Sequence, residues 1–167
     1  MPKGLNALDA EQAREALRQC CGASRWLEGM MIAWPFEDRA DLNASAKSVW
    51  SRMERKDILE AFDHHPRIGA DLDALRKKFS KTAALSEAEQ SSVACASEQT
   101  LIALRDGNKK YEARYGHIFI VCASGKSAAE MLTILESRMN NDTDEELRIA
   151  AGEQAKITQL RLENIEL

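Results

Sequence analysis

Three short segments of the chain carry residue types that could transfer protons or hold an anionic ligand. The first is HPRIG at 65–69. A free imidazole titrates near pH 6.5, so a histidine such as His65 can both donate and accept a proton, while Pro66 fixes the backbone beside it. The alternative is a surface histidine at a helix end, stabilised by the negative end of the helix dipole. The residues alone favour the surface histidine.

The second segment is SEAEQ at 86–90. Ser86, Glu89 and Gln90 would place a hydroxyl, a carboxylate and a carboxamide at a helix N-terminus, where free N–H groups favour an anionic ligand. The same S-x-x-E pattern is a capping box, in which Ser86 and Glu89 satisfy each other's backbone donors. Sequence physics alone favours this structural interpretation.

The third segment is IFIVCASGK at 118–126. If it is an extended connector in a helical bundle, its backbone N–H and C=O groups need partners, so it is a candidate wall of a ligand site. The alternative is a plain core segment. The GKS at 125–127 is not a phosphate-binding loop, because that motif needs a second glycine five residues before Gly125, where this chain has Ile120.

Helices must position these groups, because apolar residues recur at three- and four-residue spacing through most of the chain. Asp9 is the predicted N-cap of a helix at about 10–21, with Gln12 in the capping-box position. A further helix carries an apolar face from Leu42 to Met53. The next should end at or just before His65, since the residue before a proline is pushed out of the α region.

The second half of the chain follows the same pattern with interruptions. Residues 68–85 predict a weak helix or a loop, and a long helix from Ser86 is expected to close at Asp106-Gly107-Asn108, before a short helix ended by Gly116. HIFIVCA at 117–123 is strand-like in composition, but no partner strand is evident. Two more capping boxes introduce the last helices, and their residues are Ser127 with Glu130 and Thr143 with Glu146.

The expected fold is therefore all-α, a single-domain helical bundle over 1–167 with one extended connector near 117–125. A length of 167 residues leaves room for one core. With 23 Lys and Arg against 27 Asp and Glu, the net charge of −4 argues against a nucleic-acid or membrane-surface partner. No stretch approaches the roughly 18 apolar residues of a membrane span, and the N-terminus lacks a secretory pattern, so a cytoplasmic protein is expected.

The cysteines and histidines do not predict a metal site. None of the four cysteines forms a C-x-x-C pair, adjacent Cys20 and Cys21 are poorly placed to grip one ion, and the three histidines lack ligand spacing. Buried thiols in a reducing compartment are the simpler expectation.

Taken together, HHPRIGA at 64–70, SEAEQ at 86–90 and YEARYGHIFIVCASGKSAAEML at 111–132 resemble, in order and spacing, the 2-oxo-4-hydroxy-4-carboxy-5-ureidoimidazoline (OHCU) decarboxylase family, which makes (S)-allantoin from oxidised urate. The resemblance extends over nearly the whole chain. It implies an all-α domain, usually a homodimer, that uses neither a metal nor an organic cofactor.

The resemblance also implies roles for individual residues. His65 matches the catalytic histidine and Glu89 the second catalytic residue. The substrate-binding positions would be Pro66, Ser86, Gln90, Val121, Cys122, Ala123, Ser124, Gly125 and Lys126. Relatives often carry arginine near this last position. With lysine here, a bidentate hydrogen bond to a substrate carboxylate would be replaced by a point-charge interaction. The ending ENIEL is no peroxisomal tripeptide, which agrees with a cytoplasmic protein.

Two other functions compete with this prediction. One is an all-α interaction module in which His65 and Glu89 are incidental surface residues. The other is hydrolysis of the preceding intermediate, 5-hydroxyisourate, which would need a metal or an activated water among several His and Arg residues; three histidines, two of them adjacent, are a poor supply.

Overall fold

A computed structural model describes residues 3–67, 72–79 and 87–167, without the side chains of 78 and 87–97. Within these ranges the chain is all-helical and contains no strand, which confirms the predicted fold class. A short 3-10 helix at Leu5–Ala7 precedes eight α-helices. They are α1 (Ala10–Arg18), α2 (Ser24–Ala33), α3 (Arg39–Ser51), α4 (Arg55–Asp63), α5 (Leu72–Phe79), α6 (Glu87–Tyr115), α7 (Ala128–Arg138) and α8 (Thr143–Glu163).

Backbone contacts group the chain into two compact units, 1–65 with 150–167, and 66–149. The prediction of one domain over 1–167 stays a prediction, and the units are described in turn. No helix in the described ranges is long and apolar enough to cross a membrane. The same ranges contain no group of three or more His, Cys, Asp and Glu residues arranged to hold a metal ion.

The first unit is built from α1–α4 and the later part of α8 around an aliphatic and aromatic core. Asp9 caps α1 as predicted, accepting the Gln12 N–H at 2.8 Å, and α1 ends earlier than expected, at Arg18. Trp26 is fully buried, and Trp50 donates to the Ala151 carbonyl at 3.2 Å, tying α3 to α8. The buried core residues of α1–α3 are Ala13, Leu17, Trp26, Leu27, Met30, Leu42, Ala46 and Val49.

The second unit has a core of aromatic and aliphatic side chains from α5, α6, α7 and the connector between α6 and α7. Tyr111 and Phe119 pack edge to face with ring centroids 5.3 Å apart, a favoured geometry for aromatic pairs. Ser127 caps α7, accepting the Glu130 N–H at 3.1 Å, in agreement with its predicted position.

One predicted helix end in this unit is wrong. The helix expected to close at 106–108 continues without a break to Tyr115. Gly107 lies where α6 packs closely on α7, since an added Cβ would meet Leu135 Cδ2 at 2.8 Å, and the Asn108 amide donates to the Leu104 carbonyl four residues back. Glycine therefore serves a close helix contact here. The helix does end before Gly116, whose positive φ of 77° suits glycine.

The predicted capping box of Thr143 with Glu146 is also wrong. Asp142 lies before α8 and accepts the Glu145 N–H at 2.8 Å. Glu146 is instead fully buried and pairs with Arg138 of α7. A buried ion pair has taken the carboxylate that the local pattern assigned to a cap.

Candidate active site

His65 lies just beyond the C-terminus of α4, as the proline after it predicts. The helix begins after Glu54, whose N–H donates to the Asp57 carboxylate at 2.9 Å, and it ends at Asp63. The N–H of His65 still donates to the Phe62 carbonyl at 3.0 Å, a last helical turn before Pro66. The histidine is thus held on a defined helix end.

Two carboxylates of α4 fix the helix to the start of α2. Glu60 accepts hydrogen bonds from both the backbone N–H and the hydroxyl of Ser24, the latter at 3.1 Å. Asp57, which is largely buried, lies 3.3 Å from the guanidinium of Arg25. These contacts position the helix whose end carries His65.

The two adjacent histidines have different surroundings. The ring of His64 packs on Gly22, where an added Cβ would lie 2.2 Å from the imidazole Cγ, so only glycine leaves room for it. His65 is half-buried, and its Nε2 lies 2.5 Å from Oε1 of Gln154 in α8. His64 therefore makes a packing contact, while His65 makes a specific polar one.

The surroundings of His65 favour its neutral form. Burial lowers the pKa of His65 below its ordinary value; the hydrogen bond to Gln154 raises it, and electrostatic interactions with Arg161 and His64 lower it. A neutral imidazole at physiological pH can accept a proton, which is what a general base requires.

Sequence reasoning missed the three polar residues of α8 in this region: Gln154, Thr158 and Arg161. Gln154 is fully buried and donates through Nε2 to the Thr158 hydroxyl at 3.0 Å. Arg161 is exposed and donates to the carbonyls of Gln19 and Cys20 at the end of α1, at 3.3 and 3.4 Å. Their spacing of i, i+4 and i+7 places them on one helix face, and this polar stripe was the available signal.

The predicted extended connector is confirmed, since residues 116–127 join α6 to α7 without regular structure. The Arg138 guanidinium holds the Ile120 carbonyl at 2.7 Å, and Val121 and Cys122 are buried. Ser124 and Gly125 are exposed in a turn, where Gly125 has a φ of 72°.

Lys126, the predicted cationic position, makes a local contact. Its Nζ donates to the Cys122 carbonyl at 2.7 Å, while its N–H donates to the carbonyl of Ala123. The ammonium group thus closes the turn of the connector. This contact supplies a structural reason for lysine at a position where the resemblance implies substrate binding.

The SEAEQ segment is described only in part. Ser86 lies outside the described residues. Glu89 and Gln90 belong to the first turn of α6, which begins at Glu87 as predicted, and their side chains lie outside the described part of the structure. The structure therefore brings His65 into contact with Gln154 of α8, which in turn contacts Thr158, and places 121–126 in one connector.

Comparison with known proteins decides the family. The model of the family described as OHCU decarboxylase matches residues 6–163. This chain belongs to the OHCU decarboxylase family. The match takes in α1–α8 and all three segments from which the resemblance was inferred.

Individual relatives agree with the family assignment. This chain is 36% identical over 155 residues to the uric acid degradation bifunctional protein TTL of Arabidopsis thaliana, and the match covers 91% of this chain and 47% of that protein. It is 25% identical over 166 residues to the uric acid degradation bifunctional protein PucL of Bacillus subtilis, covering 96% of this chain and 32% of that protein. The chain thus spans less than half the length of these two curated relatives.

A solved structure has the same fold. A crystal structure of OHCU decarboxylase in the presence of (S)-allantoin matches with a TM-score of 0.70 and 34% identity, covering 89% of this chain and 94% of that one. The all-helical arrangement described above is therefore shared with a structure of the same family.

Proposed function

We propose that this protein decarboxylates OHCU to (S)-allantoin in urate degradation, as a carboxy-lyase that needs no cofactor. The observation that carries the proposal is the family match over 6–163. Two further findings support it: a relative named for uric acid degradation and a similar structure determined with (S)-allantoin.

The substrate can supply its own electron sink. Its carboxylate is attached to a ring carbon that also bears a hydroxyl and neighbours a C=N bond. When the bond to CO2 breaks, the electron pair moves into the ring and the C=N nitrogen takes up a proton, which leaves an enol. Loss of the hydroxyl proton and protonation of the ureido-bearing carbon then give the carbonyl product. The protein has to orient the carboxylate, stabilise charge and deliver that proton to one face.

His65 is the proposed proton carrier. Its lowered pKa favours the neutral imidazole, which can accept the substrate hydroxyl proton and return a proton to the ureido-bearing carbon. Arg161 contributes a positive charge that His65 senses, and its exposed guanidinium is suited to a carboxylate. We assign a carboxylate contact to Arg161, and Lys126, whose ammonium also closes the turn of the connector, keeps the substrate-binding role that the resemblance implies.

The remaining roles are those that the resemblance implies. Glu89 orients the ureido or ring N–H groups, and Pro66, Ser86 and Gln90 line the substrate. The connector, with Val121, Cys122, Ala123, Ser124 and Gly125, supplies backbone hydrogen bonds. We further propose a cytoplasmic homodimer.

The activity is tested with freshly generated product of urate oxidation. Loss of the OHCU absorbance, appearance of the circular dichroism of (S)-allantoin and release of CO2 are followed together. If the OHCU absorbance decays only at its uncatalysed rate, an interaction module is favoured instead. Turnover of 5-hydroxyisourate without CO2 release would indicate the competing hydrolysis.

The role of His65 is tested by His65→Asn with His64→Gln as the matched control. General acid–base assistance is worth about 10²–10⁴ in rate, so His65→Asn should lose at least two decades of decarboxylation while remaining folded. His64→Gln should keep most of the activity, since His64 packs on Gly22. Near-wild-type turnover by His65→Asn would refute the assignment.

Glu89 requires a test that separates catalysis from capping. Glu89→Gln should impair turnover while the free energy of unfolding stays within about 0.5 kcal/mol of wild type, since Gln also serves in a capping box. A loss of stability of about 1 kcal/mol with unchanged kcat would identify a cap alone.

A further inference from the structure

The Gln154 side chain is placed to control the proton on His65. Its Oε1 lies 2.5 Å from Nε2 of His65, and its Nε2 lies 3.0 Å from the Thr158 hydroxyl. Gln154 is fully buried, so neither end of the amide has water as an alternative partner. A carboxamide oxygen accepts hydrogen bonds and cannot donate them, so His65 must donate from Nε2.

We propose that Gln154 is a positioning residue that fixes neutral His65 as the Nε2–H tautomer, leaving Nδ1 as the atom that exchanges protons with the substrate. The inference deepens the proposed function and rests on it. It assigns a role to the buried side chain of Gln154, which takes no direct part in the proposed proton transfer.

The orientation of the amide is set by a second hydrogen bond behind it. The Thr158 hydroxyl oxygen accepts from Nε2 of Gln154 at 3.0 Å, and the hydroxyl also interacts with the buried thiol of Cys21. In this arrangement the amide oxygen faces His65, and a flipped amide would require the Thr158 hydroxyl to donate instead of accept.

The tautomer matters because the two ring nitrogens are not equivalent. With Nε2 bound to Gln154, Nδ1 carries the lone pair of the neutral ring. The titratable groups that act on this ring are Arg161 of α8 and His64 beside it, and both disfavour an imidazolium. A flipped amide would place the proton on Nδ1 and remove the base from its working position.

Nitrogen-15 NMR of the full chain tests the tautomer without reference to activity. Long-range ¹H–¹⁵N spectra of the wild-type protein, with the His65 signals assigned by their loss in His65→Asn, should show the Nε2–H form as the dominant neutral species. Thr158→Val should allow the amide to flip and raise the Nδ1–H population, while Thr158→Ser should restore the wild-type spectrum. A dominant Nδ1–H form in the wild type would overturn the inference.

Kinetics then measure the consequence. Gln154→Leu should lower kcat at least tenfold, about the net strength of one hydrogen bond, with KM changed less than kcat. The pKa seen in kcat/KM should fall in Gln154→Leu, because the contact that raises it is lost, and rise in Gln154→Glu, where a carboxylate faces the ring.

The two proposals fail in distinguishable ways. If the wild-type protein does not decarboxylate OHCU, the proposed function fails, but the NMR spectra still decide which tautomer of His65 is present. If it does decarboxylate OHCU but Gln154→Leu keeps wild-type kcat and pH profile, the positioning role is refuted. Should Gln154→Leu not fold, the Thr158→Val and Thr158→Ser pair decides the question by the same two measurements.

Discussion

The buried ion pair between Arg138 and Glu146 should dominate the stability of the second unit. Arg138 Nε donates to Glu146 Oε1 at 2.7 Å, and the two side chains are only 6% and 0% exposed. Tyr111 and Asn141 donate to the same carboxylate at 2.5 and 3.0 Å. Arg138 also donates to the Ile120 carbonyl at 2.7 Å, so the network includes the candidate substrate connector.

Removing one partner leaves the other charge buried without its counter-ion. Arg138→Met should therefore lower the free energy of unfolding by about 3–5 kcal/mol. That is a large part of the 5–15 kcal/mol, roughly, that stabilises a typical domain. Glu146→Gln should lower the free energy of unfolding by a similar amount, because the Arg138 guanidinium stays charged and loses its counter-ion. The carboxamide can still accept the hydrogen bond from Tyr111, so the loss reports on the charge.

The double variant Arg138→Met/Glu146→Gln contains no unpaired buried charge, and its loss should be smaller than the sum of the single losses by about 2–3 kcal/mol. Urea unfolding followed by circular dichroism measures all four corners of the cycle, with unchanged m-values as the check on two-state behaviour. A cost below about 1 kcal/mol for Arg138→Met, or additivity within about 0.5 kcal/mol, would refute the reasoning.

Three other predictions concern packing and titration. Gly107→Ala should destabilise the protein by about 1 kcal/mol, because its Cβ would lie 2.8 Å from a core leucine. Gly152→Ala has no described atom within 4 Å of the added Cβ and should stabilise the protein by about 0.5 kcal/mol. Equal effects of the two variants in urea unfolding would contradict this prediction. His65 has a lowered pKa when folded, so the unfolded chain binds its proton first and stability should fall as the pH drops below about 6.5; His65→Asn should flatten that slope. Burial raises the pKa values of Cys20 and Cys21 from 9.0 to about 11, so the unfolded chain loses these protons first and stability should fall as the pH rises from 9 to 11. Cys20→Ala should reduce this alkaline loss, and an unchanged profile would count against it.

Elements with local causes could be predicted from the sequence. The cap at Asp9, the cap at Ser127 and the end of α4 before Pro66 each depend on residues within one turn of the boundary. The errors occur where a distant contact competes with a local pattern. Gly107 continues a helix because α7 packs against it, and Glu146 leaves its capping position for Arg138.

The candidate site divides in the same way. His65 could be singled out as a candidate from its own neighbours, since a proline fixes the chain after it, and the resemblance implied its role. Gln154 could not, because its contact with His65 joins residues 89 positions apart and depends on how α8 packs against the end of α4. A polar stripe on an otherwise apolar helix face is the kind of sequence signal that would have directed attention to it.

The buried polar groups of α8 have two separable tasks. Glu146, in its first turn, pairs with Arg138 and thereby holds the connector carbonyl of Ile120. Gln154, two turns later, contacts His65. Variants at Arg138 should therefore change stability first, and those at Gln154 should change kcat and its pH dependence first. Because the double variant of Arg138 and Glu146 contains no unpaired buried charge but still lacks the Ile120 contact, a rise in its KM would support the proposed role of the connector in binding substrate.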